Sequence, residues 1–125
     1  MGHPPGTTVL IVDDDRDILE ALGELLGDEG FAVATARDGA EALEKLRTGL
    51  APAVIFLDLM MPIVDGWEFR AAQMADARLA RIPTVIMSAR ADFGDTLGVA
   101  MTLRKPLTSE TVLAAVNRCI PLVPA

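Results

Sequence analysis

Two rhythms of apolar residues alternate along the chain. Short unbroken runs occupy residues 7–12, 31–35, 53–57, 82–87 and 99–103. Most are rich in β-branched residues and bounded by Gly, Pro, Asp or Ser, which is how strands buried on both faces read. Between the runs, apolar residues recur at spacings of three and four. Ile18, Leu19, Leu22, Leu25 and Leu26 form one helix face. Ala42, Leu43, Leu46 and Leu50 form a second, and Val112, Leu113, Val116, Cys119 and Ile120 a last one. Gly30 is placed to end the first helix. Asp38-Gly39-Ala40-Glu41 and Asp65-Gly66-Trp67-Glu68 read as capping boxes opening the second and third helices, and Thr108 or Ser109 caps the last. Pro83 sits at the entrance of the fourth strand, where no ladder donor is needed.

Strand and helix thus alternate five times, which predicts a parallel α/β sheet with right-handed crossovers and helices on both faces. No repeat beyond this period and no internal linker interrupts it. The expected division is a flexible leader over residues 1–6, one domain over 7–120 and a tail over 121–125.

Composition narrows the function classes. The chain has 125 residues, enough for one domain with a real core. Apolar runs are broken by charge well short of the ~20 residues that span a bilayer, so no membrane partner is expected. Residues 1–8 have no basic region or apolar core, so no signal peptide is expected. A net charge of −7 argues against nonspecific nucleic-acid binding. The single cysteine excludes an internal disulfide and suits a reducing cytoplasm, and with one histidine, His3 in the leader, a cysteine–histidine zinc site has too few ligands.

The candidate chemistry lies at the carboxyl ends of the strands, the edge where open parallel sheets bind ligands. The first strand ends in Asp13-Asp14-Asp15, the third in Asp58, the fourth in Ser88-Ala89 and the fifth in Arg104-Lys105-Pro106. Two carboxylates ~4 Å apart at an effective dielectric of ~20 repel by about 4 kcal/mol, which a divalent cation relieves. Oxygen ligands suit Mg²⁺. The bland alternative for the acidic run is helix capping, but one Asp suffices for that, and Asp15 and Asp17 are assigned to the helix start and solvent. Ser88 reads either as a cap or as a donor to an oxyanion. Lys105 reads either as a surface lysine or as a partner of Asp58 and of an anion bound to it. A carboxylate, a cation site, a hydroxyl and an ammonium together suit phosphoryl transfer to the carboxylate.

Val9-Leu10-Ile11-Val12-Asp13-Asp14-Asp15, the segment from Leu57-Asp58 through Met60-Met61-Pro62 to Asp65-Gly66, Met87-Ser88-Ala89 and Lys105-Pro106 together closely resemble the receiver domain of two-component response regulators. The resemblance runs from about Thr7 to Ile120. It implies a flavodoxin-like doubly wound fold with strand order 2-1-3-4-5. It implies a non-enzymatic signalling domain in the cytoplasm, whose Asp58 accepts phosphoryl from a sensor histidine kinase or a histidine phosphotransfer protein. Asp14 and Asp58 are then direct Mg²⁺ ligands, Asp13 acts through water, and Met60 offers only its backbone carbonyl. Ser88 takes the family's hydroxyl position and Lys105 that of its phosphate-binding lysine, with a cis Lys105–Pro106 peptide.

Two departures stand out. Only residues 88–98 join strands four and five, so the fourth helix is expected to be short, around residues 92–97, or missing. Thr102 stands where relatives carry an aromatic switch residue. Both fall on the face most receivers use for output, so intact phosphorylation chemistry with an atypical output is expected, with a homodimer or kinase docking through the first helix as open routes. The competing readings are a phosphorylation-independent interaction module and a small Mg²⁺-dependent phosphatase. The latter lacks an additional acid/base aspartate and a substrate cap. Among the remaining residues, Trp67 is expected to cover the start of the third helix, and Cys119 to lie in the core. Arg90 is read evenly as a residue over the site or a solvated one.

Overall fold

Successive side chains of a strand point to opposite faces, so an apolar run with no polar gap must be covered twice. The computed structural model, which describes residues 6–61, 65–89 and 100–120, shows this arrangement. Strands β1 (Thr8–Val12), β2 (Ala32–Ala36), β3 (Val54–Asp58), β4 (Thr84–Ser88) and β5 (Met101–Arg104) form one parallel sheet in the order β2-β1-β3-β4-β5. Helices are α1 (Arg16–Asp28), α2 (Gly39–Arg47), α3 (Gly66–Ala75), a short α4 (Ala77–Ala80) and, last in the chain, α5 (Ser109–Cys119). The fold is therefore the doubly wound, flavodoxin-like α/β architecture.

The two cores divide by strand parity. Val9, Ile11, Val54, Phe56, Val85 and Met87 pack with Leu22 and Leu26 of α1 and Val112 and Val116 of α5. Leu10, Val12, Ile55, Leu57 and Ile86 pack on the other face with Leu43 and Leu46 of α2, Phe69 of α3 and Leu79 of α4. Every residue of β3 and β4 is buried. Each fully buried aliphatic side chain contributes about 1.5–3 kcal/mol, so these central strands anchor whatever hangs from their ends.

Several expected boundaries shift. All five strands begin one or two residues later than the apolar runs, because pairing with the neighbour sets a strand's limits. Phe31 is buried but closes α1 instead, its N–H donating to the Leu26 carbonyl at 3.1 Å, beside Gly30 at φ +95°. Glu41 does not reach back to Asp38. Its carboxylate accepts from the Arg37 N–H at 3.3 Å, while Asp38 caps α2 through the Glu41 N–H at 2.8 Å. The box at Asp65 and Glu68 is complete, and Thr108 rather than Ser109 caps α5. Cys119 packs against the core only in part. The turn α4, capped by Asp76, has no counterpart in the sequence reading. The shortened fourth helix, Arg90, the tail and nearly all of the leader lie outside the described residues.

Candidate functional site

The carboxyl ends of β1 and β3 are neighbours in the sheet, with Val12 paired to Leu57, so the residues that follow them share one rim. Asp13 is fully buried there. Its N–H donates to the Ala36 carbonyl at 3.0 Å, and one carboxylate oxygen accepts the Asp15 N–H at 2.9 Å. Asp15 in turn caps α1 through the Asp17 N–H at 2.9 Å. Capping thus occupies Asp15 and leaves Asp14, exposed, with Asp13 and Asp58 as a cluster. One oxygen of each lies within 4.8 Å of the others. An all-oxygen set of this kind fits a hard divalent cation.

Asp58 closes β3, is only 4% exposed, and accepts the Met60 N–H at 3.3 Å. Burial, and next the charge of Asp13, push its carboxyl up to about 6, with Asp14 adding a little. The Lys105 charge and the Met60 N–H oppose the rise. Burial alone would pull the Lys105 ammonium down. Its hydrogen bond to Asp13 and the charges of Asp13 and Asp58 outweigh that, and its pKa ends above the ordinary lysine value. The ammonium lies 3.0 Å from Asp13 and 3.6 Å from Asp58.

Lys105 is held in place through its backbone. Its N–H donates to the Ser88 carbonyl at 2.8 Å, and the Lys105–Pro106 peptide is cis. Ser88 is buried at the end of β4, one residue beyond the Asp58–Met87 pair. Met60, two residues beyond Asp58, is 72% exposed. The structure thus gathers Asp13, Asp14, Asp58 and Lys105 directly, and brings Ser88 and Met60 to the same edge. Trp67 is half-buried against the α2–α3 core.

Residues 9–117 match the response regulator receiver domain. The chain belongs to this family. Receiver domains are signalling domains, acceptance of a phosphoryl group is general to them, and they typically bind Mg²⁺ at an acidic pocket. This receiver chain is 31% identical to the protein PilG of Pseudomonas aeruginosa over 93% of its own length and 89% of that protein. It is 34% identical to the response regulator Rre1 of Synechocystis over 90% of its own length. It spans 51% of Rre1 and about half of several other curated relatives. Among solved structures, the chemotaxis protein CheY4 of Vibrio cholerae aligns with a TM-score of 0.85 and 31% identity, covering 92% of this chain and 99% of that one.

Two features of this receiver escape sequence reading. Gly66 was legible only as part of a cap, yet it lies against the backbone of Asp58 and Leu59. At the amino end of β4, Arg70 donates to Gln73 at 2.8 Å and to Thr84 at 3.2 Å. Gln73 donates to the Leu79 and Ile82 carbonyls at 3.0 and 3.3 Å, all three side chains being buried. This polar knot ties α3 to α4 and β4, away from the acidic rim. The only signal for it is the i, i+3 spacing of Arg70 and Gln73.

Proposed function

We propose that this receiver accepts a phosphoryl group on Asp58 from the phosphohistidine of a sensor histidine kinase or histidine phosphotransfer protein. The observation that carries the reading is the cluster of Asp13, Asp14 and Asp58 with Lys105 set between Asp13 and Asp58. An Asp58 carboxylate oxygen attacks phosphorus in line with the departing imidazole nitrogen. The O–P bond forms as the N–P bond breaks, and the imidazole leaves with the bonding pair. Asp14, Asp58 and the Met60 carbonyl would hold Mg²⁺, with Asp13 acting through water. When bound, the cation supplies positive charge against the carboxylates and the transferring oxygens. Lys105 turns from its carboxylates to a phosphoryl oxygen, and the Ser88 hydroxyl donates to another. Among the described residues no histidine stands at the rim, and loss of the acyl phosphate to a positioned water is proposed to be slow.

The donor's histidine must come within reach of Asp58. A groove of about 730 Å³ between α1 and α5 is lined by Ile18, Leu22, Leu25, Leu107 and Val112, and Lys105 and Pro106 also line it. It fits an apolar helical face of the donor protein, in a cytoplasmic setting. Among the described residues no helix is long and apolar enough to cross a membrane.

Output is proposed to be atypical, because half-buried Thr102 on β5 lacks the bulk of an aromatic switch. Amide shift mapping with a phosphoryl mimic checks this. A rearrangement of the β5–α5 face as large as in aromatic-bearing relatives would contradict it. The phosphoacceptor reading itself is tested by acetyl phosphate labelling of the wild type and of Asp58→Asn.

A further inference from the structure

Gly66, the first residue of α3, is buried against the strand end that carries Asp58. A Cβ placed on it would stand 2.6 Å from the Leu59 Cα and 2.7 Å from the Asp58 carbonyl oxygen. Both are backbone atoms, so no rotamer change relieves the contact. Its φ is not positive, unlike those of Gly6, Gly30 and Gly49, so glycine is required here by space and not by backbone conformation. The Gly66 N–H also donates to the Leu59 carbonyl at 3.0 Å. The helix start is fixed independently by the Asp65–Glu68 box. Just beyond the contact, the Met60 N–H reaches back to the Asp58 carboxylate at 3.3 Å.

From this contact we infer that Gly66 is a positioning residue for the chemistry at Asp58. Its missing side chain lets the start of α3 seat the Asp58–Met60 backbone at the height that sets the Asp58 carboxylate against Asp13, Asp14 and Lys105. The inference rests on the proposed phosphoacceptor role. A methyl group at this position must open a 2.6 Å approach to the 3.4 Å at which ordinary contact begins. A misplacement on the order of 1 Å costs a reaction about 10²-fold, and displacing the support of a metal ligand weakens binding by about 10–100-fold.

The test compares wild type, Gly66→Ala and Gly27→Ala, the last a helix glycine whose added Cβ meets nothing within 4 Å. Calorimetric Mg²⁺ titration and the acetyl phosphate labelling rate at saturating Mg²⁺ are the readouts. Gly66→Ala is expected to bind Mg²⁺ at least about tenfold more weakly and to label about 10²-fold more slowly, with Gly27→Ala matching wild type. A folded Gly66→Ala with wild-type Mg²⁺ affinity and labelling overturns the inference. Should Gly66→Ala not fold, Asp65→Ala and Asp38→Ala decide. These carboxylates cap α3 and α2 alike, at 2.9 and 2.8 Å. Only Asp65→Ala is expected to weaken Mg²⁺ binding, and equal affinities overturn the inference. A wild type that does not label strikes the phosphoacceptor reading instead, and the Mg²⁺ titrations still decide the positioning role.

Discussion

Lys105 lies nearer to Asp13 than to Asp58, at 3.0 Å against 3.6 Å. From sequence, Asp58 was its expected partner. Asp13 is completely enclosed, and each carboxylate also accepts one backbone N–H, Asp13 from Asp15 and Asp58 from Met60. Replacing Lys105 by Met leaves two buried carboxylates facing each other. Lys105→Met is expected to lose about 1–3 kcal/mol of stability at neutral pH in Mg²⁺-free buffer, read by urea denaturation. It should also raise the Asp58 carboxyl above its present value of about 6, read by carboxyl NMR.

The raised carboxyl of Asp58 makes stability depend on pH in a definite sense. Its pKa is about 6 in the folded chain against 3.8 for the ordinary group. The folded state therefore holds the proton more tightly than the unfolded state. Stability falls as pH rises between those two values, and the full cost, about 3 kcal/mol at ~1.4 kcal/mol per unit, is present above pH about 6. Asp58→Asn removes that cost. In chelator, it is expected to be more stable than wild type at pH 7 and to converge with it towards pH 4. Equal stability of the two at pH 7 would contradict the burial of a charged Asp58.

Much of this was legible from the chain because the apolar runs of β1 and β3 stop abruptly where the acids begin. Asp13, Asp14, Asp58 and Lys105 needed only the parallel topology to meet. Strand limits were less legible. Ala36 belongs to β2 because its carbonyl accepts from Asp13, a fact of pairing and not of hydropathy. The turn at α4 spans four residues, too few for any period to show. The sequence reading made nothing of Arg70, whose burial follows from its hydrogen bonds to Gln73 and Thr84.

Mg²⁺ binding separates side-chain from backbone roles on the rim. Asp14→Asn is expected to weaken Mg²⁺ affinity by about tenfold or more, measured by calorimetry. Met60→Ala should leave it within about twofold of wild type, because the Met60 side chain points to solvent and the carbonyl remains. A Met60→Ala variant as impaired as Asp14→Asn would place the thioether, and not the backbone, in the site.

Labelling with acetyl phosphate and Mg²⁺, followed by intact mass and peptide mapping, tests the central claim most directly. The account predicts one acid-stable, base-labile phosphoryl group per chain, located on Asp58, absent in Asp58→Asn and absent when Mg²⁺ is chelated. A folded chain that takes up no phosphoryl group, or one that keeps the label in Asp58→Asn, would contradict it.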